Sequence, residues 1–162
     1  KPMGLPPLRK HLVKHWSAVI REPLEADDLL GIWATSKTFR AGTRKIIVST
    51  DKDMLTIPCL LYNPNKAALG IQRITQEAAD RYHLYQTLIG DSTDGYTGCP
   101  TIGPTRAERI LTASPTWEGV VETYERQNLT EADALKQARL ARILRSDDYD
   151  ETERKVHYWK PQ

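Results

Sequence analysis

Seven carboxylates fall in three short groups along the chain: Glu25, Asp27 and Asp28; Asp51 and Asp53; Asp91 and Asp94. Each group follows an expected strand or marks a helix terminus, and a parallel α/β sheet brings such positions to one edge. Oxygen donors without histidine or thiolate suit Mg²⁺ or Mn²⁺ better than zinc. Held together and bare, these carboxylates repel one another and some take up protons; divalent cations resolve that conflict. Two such ions about 3.5–4 Å apart activate a water and stabilise the leaving oxygen in phosphodiester hydrolysis. Each group alone has a plainer reading. Glu25 and Asp28 suit a helix N-terminus, Asp51 and Asp53 suit a turn after a strand, and Asp91 and Asp94 suit a helix end. The case for chemistry rests on all three together, and on the hairpin attached to the third.

That third group opens the stretch Gly90-Asp91-Ser92-Thr93-Asp94-Gly95-Tyr96-Thr97-Gly98-Cys99-Pro100-Thr101-Ile102-Gly103-Pro104-Thr105-Arg106-Ala107. Its second half reads as a tight hairpin that opens a helix, with Gly103 as cap and Pro104 at the first helical position. Free N–H groups at a helix start form an anion site, and a nucleic-acid phosphate is the anion such a hairpin fits. Other chemistries lack their signatures. There is no nucleophile elbow, no phosphate loop with Gly-Lys-Ser/Thr, no Cys-His pairing and no EF-hand spacing. His11 and His15 are four apart but have no third ligand nearby, so a solvated face is the plainer reading.

The elements that must hold these groups can be read in order. Residues 1–8, with three prolines and a glycine, read as a broken surface segment, followed by a short helix from Leu8 to Lys14. Trp16 to Arg21 reads as a strand ended at Pro23, and a helix runs from the acidic group to about Lys37. Lys37, Arg40, Arg44 and Lys45 form a basic loop, either solvated or facing phosphate. Lys45 to Thr50 reads as a buried parallel strand delivering Asp51 and Asp53 at its carboxyl end. Further strands are expected at Cys59–Tyr62 and, more weakly, Leu69–Ile74. A helix starts at Thr75 or Asp80 and ends at Gly90. Helices come next at 102–111, after Ser114-Pro115, and from the capping signature at Thr130 to Leu144. The acidic run Asp147–Glu151 reads as exposed. The order is α/β first and helices last.

With 162 residues, the chain is close to one domain and can bury a core. Its 40% hydrophobic and 27% charged content fits a soluble globular protein. No run approaches a membrane span, and the start lacks the apolar core of a signal peptide, so a cytoplasmic location is expected. Cys59 and Cys99 form no metal-type pair and are expected to be reduced thiols. A net charge of +2 does not by itself argue for nucleic acid.

The segments Leu24-Glu25-Ala26-Asp27-Asp28, Ser49-Thr50-Asp51-Lys52-Asp53 and Gly90-Asp91-Ser92-Thr93-Asp94-Gly95-Tyr96, followed by Gly98-Cys99-Pro100-Thr101-Ile102-Gly103-Pro104, resemble the flap-endonuclease superfamily. The resemblance is closest to bacteriophage 5′→3′ exonucleases, relatives of the 5′-nuclease domain of bacterial DNA polymerase. It covers residues ~17–112, and more loosely Ala141–Leu144. It implies a mostly parallel sheet flanked by helices, similar to PIN domains, in residues 1–90. A helix–three-turn–helix and further DNA-binding helices are implied in residues 91–162.

The implied activity is a two-metal, Mg²⁺- or Mn²⁺-dependent 5′→3′ exodeoxyribonuclease and flap endonuclease on duplex DNA with a free 5′ end or flap. The implied setting is phage replication or recombination in a bacterial cytoplasm, with the protein a monomer. Carried over by motif, Glu25 and Asp27 fall beside one ion, and Asp51, Asp53 and Asp91 around the other. Asp28 and Asp94 become outer or water-mediated ligands. Gly98, Thr101, Ile102, Gly103, Thr105 and Arg106 lie near duplex phosphates, with K⁺ as a further ion at the hairpin. The family also has an earlier strand with metal-ligand aspartates and a basic helical arch, absent from these 162 residues. The resemblance therefore implies a fragment, or a chain continued upstream, with impaired cutting on its own. Two other readings stand beside it. One is a non-catalytic duplex-binding module using the hairpin alone. The other is a small toxin-class ribonuclease, which the hairpin disfavours.

Overall fold

A computed structural model describes residues 3–161. The first helix, α1 (Leu5–Trp16), begins earlier than the sequence suggests. Pro6 and Pro7 lie in its first turn, where N–H groups have no helical partner and proline costs nothing. Lys1 and Pro2 of the expected broken segment lie outside the described residues. The strand expected over Trp16–Arg21 is absent. Ser17 turns left-handed at φ 54°, the Ala18 N–H bonds back to the Leu12 carbonyl, and Val19 and Ile20 are exposed with no neighbouring strand. β-branched residues alone do not make a strand without a partner.

Helix α2 (Ala26–Thr35) is next, with Glu25 at its N-cap. A mixed sheet succeeds it, in the order β1 (Ile46–Val48), β2 (Leu60–Tyr62), β3 (Ile71–Arg73). Strands β1 and β2 are parallel, with Ile47 opposite Leu61; β2 and β3 are antiparallel, with Leu61 opposite Gln72. The sheet is thus half parallel rather than mostly so. β1 is also an edge strand in which only Ile47 is buried, because one face of Ile46 and Val48 has nothing stacked on it. A 3₁₀ turn (Lys52–Thr56) carries the chain away from β1, and a second (Pro64–Leu69) joins β2 to β3.

Helix α3 (Gln76–Ile89) starts at Thr75, whose hydroxyl accepts the Ala78 N–H. It is followed by α4 (Pro104–Ala113), α5 (Trp117–Glu125) and α6 (Glu131–Leu140). Thr130 and Asp133 form the expected capping box on α6. Two apolar clusters result. Ile47, Met54, Ile57 and Leu61 lie under α2, with Ile143 packed against them. Leu84, Leu88, Leu111, Val120, Tyr124 and Ala138 fill the space between α3 and the later helices. Burying each large aliphatic side chain contributes about 1.5–3 kcal/mol.

Helix α6 stops at Leu140, short of the expected Leu144. Residues 141–145 instead run back onto α2, where the Leu144 N–H bonds to Asp28. Gly31 makes this docking possible, since a β-carbon there would lie 2.3 Å from the Leu144 carbonyl. The acidic tail is likewise not a free surface. It forms a short 3₁₀ turn (Ser146–Asp148) and a small hairpin, β4 (Tyr149–Asp150) with β5 (Lys155–Val156), in which Asp148 and Tyr149 are buried. No helix among the described residues is long and apolar enough to cross a membrane.

Candidate active site

Strand β1 delivers its carboxylates through a tight local network. The Asp51 N–H bonds to the Ser49 hydroxyl at 3.1 Å, and the Asp51 carboxylate accepts the Asp53 N–H at 2.9 Å, capping the 3₁₀ turn. Asp53 points toward α3, where the Gln86 amide donates to Oδ1. Gln86 is itself buried, and its own Oε1 has no protein partner.

Asp91 and Asp94 come from the loop after α3. Gly90 ends the helix at φ +72°, and Asp91 and Tyr96 exchange both backbone hydrogen bonds, at 2.9 and 3.0 Å. The Asp91 Oδ1 accepts the Thr93 N–H at 2.8 Å. The loop is closed at its base by Gly90 and Gly98 in direct backbone contact, since a β-carbon on Gly98 would lie 2.3 Å from the Gly90 nitrogen. Three carboxylates, from Asp53, Asp91 and Asp94, each place an oxygen within 4.8 Å of the other two. Among the described residues this is the only such metal-sized group.

The grouping differs from the one read in the sequence. Asp94, expected as an outer ligand, stands with Asp53 and Asp91, while Asp51 spends a carboxylate oxygen on its own turn. Asp28 is further committed, since Oδ1 accepts the Leu144 N–H at 3.1 Å and Oδ2 the Glu25 N–H at 3.4 Å. Glu25 is exposed at the N-cap. Asp27 belongs to the same field as the trio. Burial raises its pKa above the usual carboxylate value, and Asp51, Glu25, Asp28 and Asp94 raise it further. Asp53 is also raised, mainly by burial, with Asp51 and Asp94 adding while Lys52 and the Gln86 hydrogen bond oppose. Asp91 runs the other way, held low chiefly by its hydrogen bond from Lys52 and then by the Thr93 N–H. Such a set, all oxygen donors with too little positive charge, fits a hard divalent cation.

The hairpin side is partly open. Thr101, Gly103, Thr105 and Arg106 are exposed and Ile102 half-buried. Gly98 is buried and its N–H goes to the Gln137 side chain at 3.0 Å, so it shapes the loop from inside. Thr101 is left-handed at φ 65°, and Arg106 donates to its carbonyl at 3.0 Å. Gly103 caps α4 with open space around it, and Pro104 leaves the first turn without one N–H. Of the basic loop, Lys45 is used internally, donating to the Trp33 and Ser36 carbonyls, while Lys37, Arg40 and Arg44 are exposed.

Sequence reasoning misses Gln86 and Lys52. Gln86 carries a signal, lying with Ala79 and His83 on the buried stripe of α3, where a polar side chain needs a partner. Lys52 sits inside the second acidic motif, but nothing local to it shows that it reaches Asp91.

No protein-family model matches the chain. It is similar to the exodeoxyribonuclease of Enterobacteria phage T3, 31% identical over 180 aligned positions covering 88% of this chain and 57% of that protein. It is also similar to the exonuclease of Escherichia phage T7, 30% identical with 88% and 58% covered. The flap endonuclease Xni of Shewanella loihica is 33% identical over 148 positions, with 86% and 57% covered. The chain spans a little over half the length of these relatives. The chain that brings Asp53, Asp91 and Asp94 together is thus similar, over most of its own length, to phage exonucleases and Xni flap endonucleases.

Proposed function

We propose that this chain carries the cation-binding and duplex-holding parts of a divalent-metal-dependent 5′→3′ nuclease. Its substrate would be duplex DNA with a free 5′ end or a 5′ flap, met in phage replication or recombination. The observation that carries this reading is the convergence of Asp53, Asp91 and Asp94 within 4.8 Å in a chain similar to exonucleases and flap endonucleases. Two divalent ions, when bound, would supply an activated water and charge on the leaving oxygen. Asp53, Asp91 and Asp94 would hold one, with Asp51 at its margin and Asp27 and Glu25 toward the other. Gln86 fixes the Asp53 carboxylate by its hydrogen bond. The exposed turn at Thr101–Arg106 would take the duplex backbone through free N–H groups at the α4 start, with Arg106 adding charge. Phosphate contacts of this kind position the duplex without reading its sequence.

The test is Mn²⁺ titration together with cutting of a 5′-flapped duplex. Wild type should bind Mn²⁺ and cut only slowly in its presence, as the impaired cutting implied by the resemblance requires. Asp53→Asn should lose most Mn²⁺ affinity and slow cutting by about 10³-fold, the several kcal/mol that a metal supplies to phosphoryl chemistry. Equal Mn²⁺ affinity in the two proteins would refute the site.

A further inference from the structure

Lys52 lies between two of the site's aspartates in sequence, but its partner is 39 positions away. Its ammonium donates to Asp91 Oδ2 and stands 3.8 Å from Asp53 Oδ1. The lysine side chain is 58% exposed, whereas the Asp53 and Asp91 side chains are only 19% and 12% exposed. The ammonium thus sits on the solvent side of two recessed carboxylates, like a stopper. The other hydrogen bonds to these carboxylates come from neutral groups: Gln86 on Asp53 and the Thr93 N–H on Asp91. Among the salt bridges of the described residues, Lys52 is the only cation on either one.

We propose that Lys52 is a built-in counter-ion of the cation site: it holds Asp53 and Asp91 together while no metal is bound, and a divalent cation must displace it to enter. The inference rests on the metal reading of these aspartates. Two physical effects result. In the metal-free protein the ammonium lowers the repulsion among the carboxylates, which stabilises the state the metal has to leave. In the loaded protein the same ammonium is a like charge tethered beside a dication. Both weaken metal binding, so the lysine keeps the site ordered yet readily exchangeable. Its length and half-exposed stem let it swing into solvent at little cost.

The proposal predicts an unusual direction. Removing a residue that contacts the site tightens the site. Lys52→Met keeps the apolar stem and deletes the charge. Its Mn²⁺ affinity, by calorimetry on the protein at fixed pH and salt, should rise roughly 5- to 30-fold, as expected for loss of one partly exposed ion pair plus relief of charge repulsion. Lys52→Arg keeps the charge and should stay within about threefold of wild type by the same argument. Metal-free Lys52→Met should melt below metal-free wild type, and its gain in melting temperature on saturation with Mn²⁺ should be the larger of the two. A merely structural lysine would give the opposite, a looser site that binds Mn²⁺ more weakly. Unchanged or weaker Mn²⁺ binding by Lys52→Met, with wild type binding normally, overturns the counter-ion role and leaves the metal reading standing. Failure of both proteins to bind Mn²⁺ overturns both. Binding by Lys52→Met alone supports both.

Discussion

Two regions of this molecule concentrate charge, and they treat it in opposite ways. One is the seam where residues 141–150 return to the body of the fold. There Arg142 pairs with Asp148 at 2.7 Å, and Arg145 reaches Asp80 at 2.7 Å and the Thr56 carbonyl at 2.7 Å. Asp28 accepts the Leu144 N–H, and the Thr35 hydroxyl accepts the Ser146 N–H. Most charges in the seam meet an opposite charge or a backbone group. The other region is the edge holding Asp27, Asp51, Asp53, Asp91 and Asp94, where Lys52 pairs with only two of the five carboxylates. Like charges crowd there and two pKa values are pushed up. Paired charge fastens the fold; charge crowded at a half-exposed edge is stored repulsion that one lysine offsets in part and a bound cation would relieve further.

That contrast can be broken by experiment. The largest effect is expected at the edge. Asp27→Asn should slow cutting by about 10³-fold, yet leave thermal stability unchanged or slightly raised, because burial and the neighbouring carboxylates already disfavour its charge. A loss of stability comparable to that of a seam variant would erase the distinction.

Next is the pH response of the seam. His83 is buried beside it, with Nε2 2.7 Å from the Ala138 carbonyl. Burial pushes its pKa from 6.5 down to about 4. The unfolded chain therefore binds a proton first. The stability tied to neutral His83 is complete above about pH 6.5 and is lost as pH falls toward 4, up to about 3 kcal/mol in all. Denaturant unfolding at pH 7 and pH 4 should show this slope in wild type, and a flatter one in His83→Gln. Parallel slopes would remove His83 from the account.

Somewhat smaller is Arg145→Met. It should cost about 2–3 kcal/mol by stranding the buried Thr56 carbonyl and loosening Asp80, while leaving Mn²⁺ affinity intact. A coupled loss of Mn²⁺ binding would show that the seam and the edge are one unit.

Smallest is Gly103→Leu. Open space at Gly103 means the fold should tolerate it, and the exposed α4 start should bind duplex about 5–10-fold more weakly, an effect that fades at high salt. Unaltered duplex affinity at low salt would move the phosphate contact elsewhere.

Local chemistry makes much of this readable from the sequence. Thr75, Gly90, Gly103-Pro104 and Thr130 announce helix ends by their own side chains or torsions, and the structure has helix ends there. The motif carboxylates are visible as residues but not as a grouping. Which of Asp51 and Asp94 joins Asp53 depends on Asp51 turning inward to cap its own 3₁₀ turn, a choice that spacing does not reveal. The returning tail is opaque for a different reason. Asp147–Glu151 is acidic by composition, and only its pairing with Arg142 and the docking of Leu144 on α2 make Asp148 an interior residue. Trp16–Arg21 shows the converse, a strand-like sequence with no strand to meet.

The crossing of Gly90 and Gly98 has a consequence for how this loop can change. It pinches the chain so that residues 91–97 form a bight whose two ends are already joined. Each glycine is held both by its left-handed torsion and by the absence of room for a β-carbon. Substitution at either would pry the two strands apart and tilt α4 away from the carboxylates. Length changes within the bight, by contrast, stay inside it, because lengthening a closed loop costs little and its ends do not move. An insertion after Ser92 would therefore leave α4 where it is and retune only the reach of Asp94. The pinch insulates α4 from drift in the loop that carries Asp91 and Asp94.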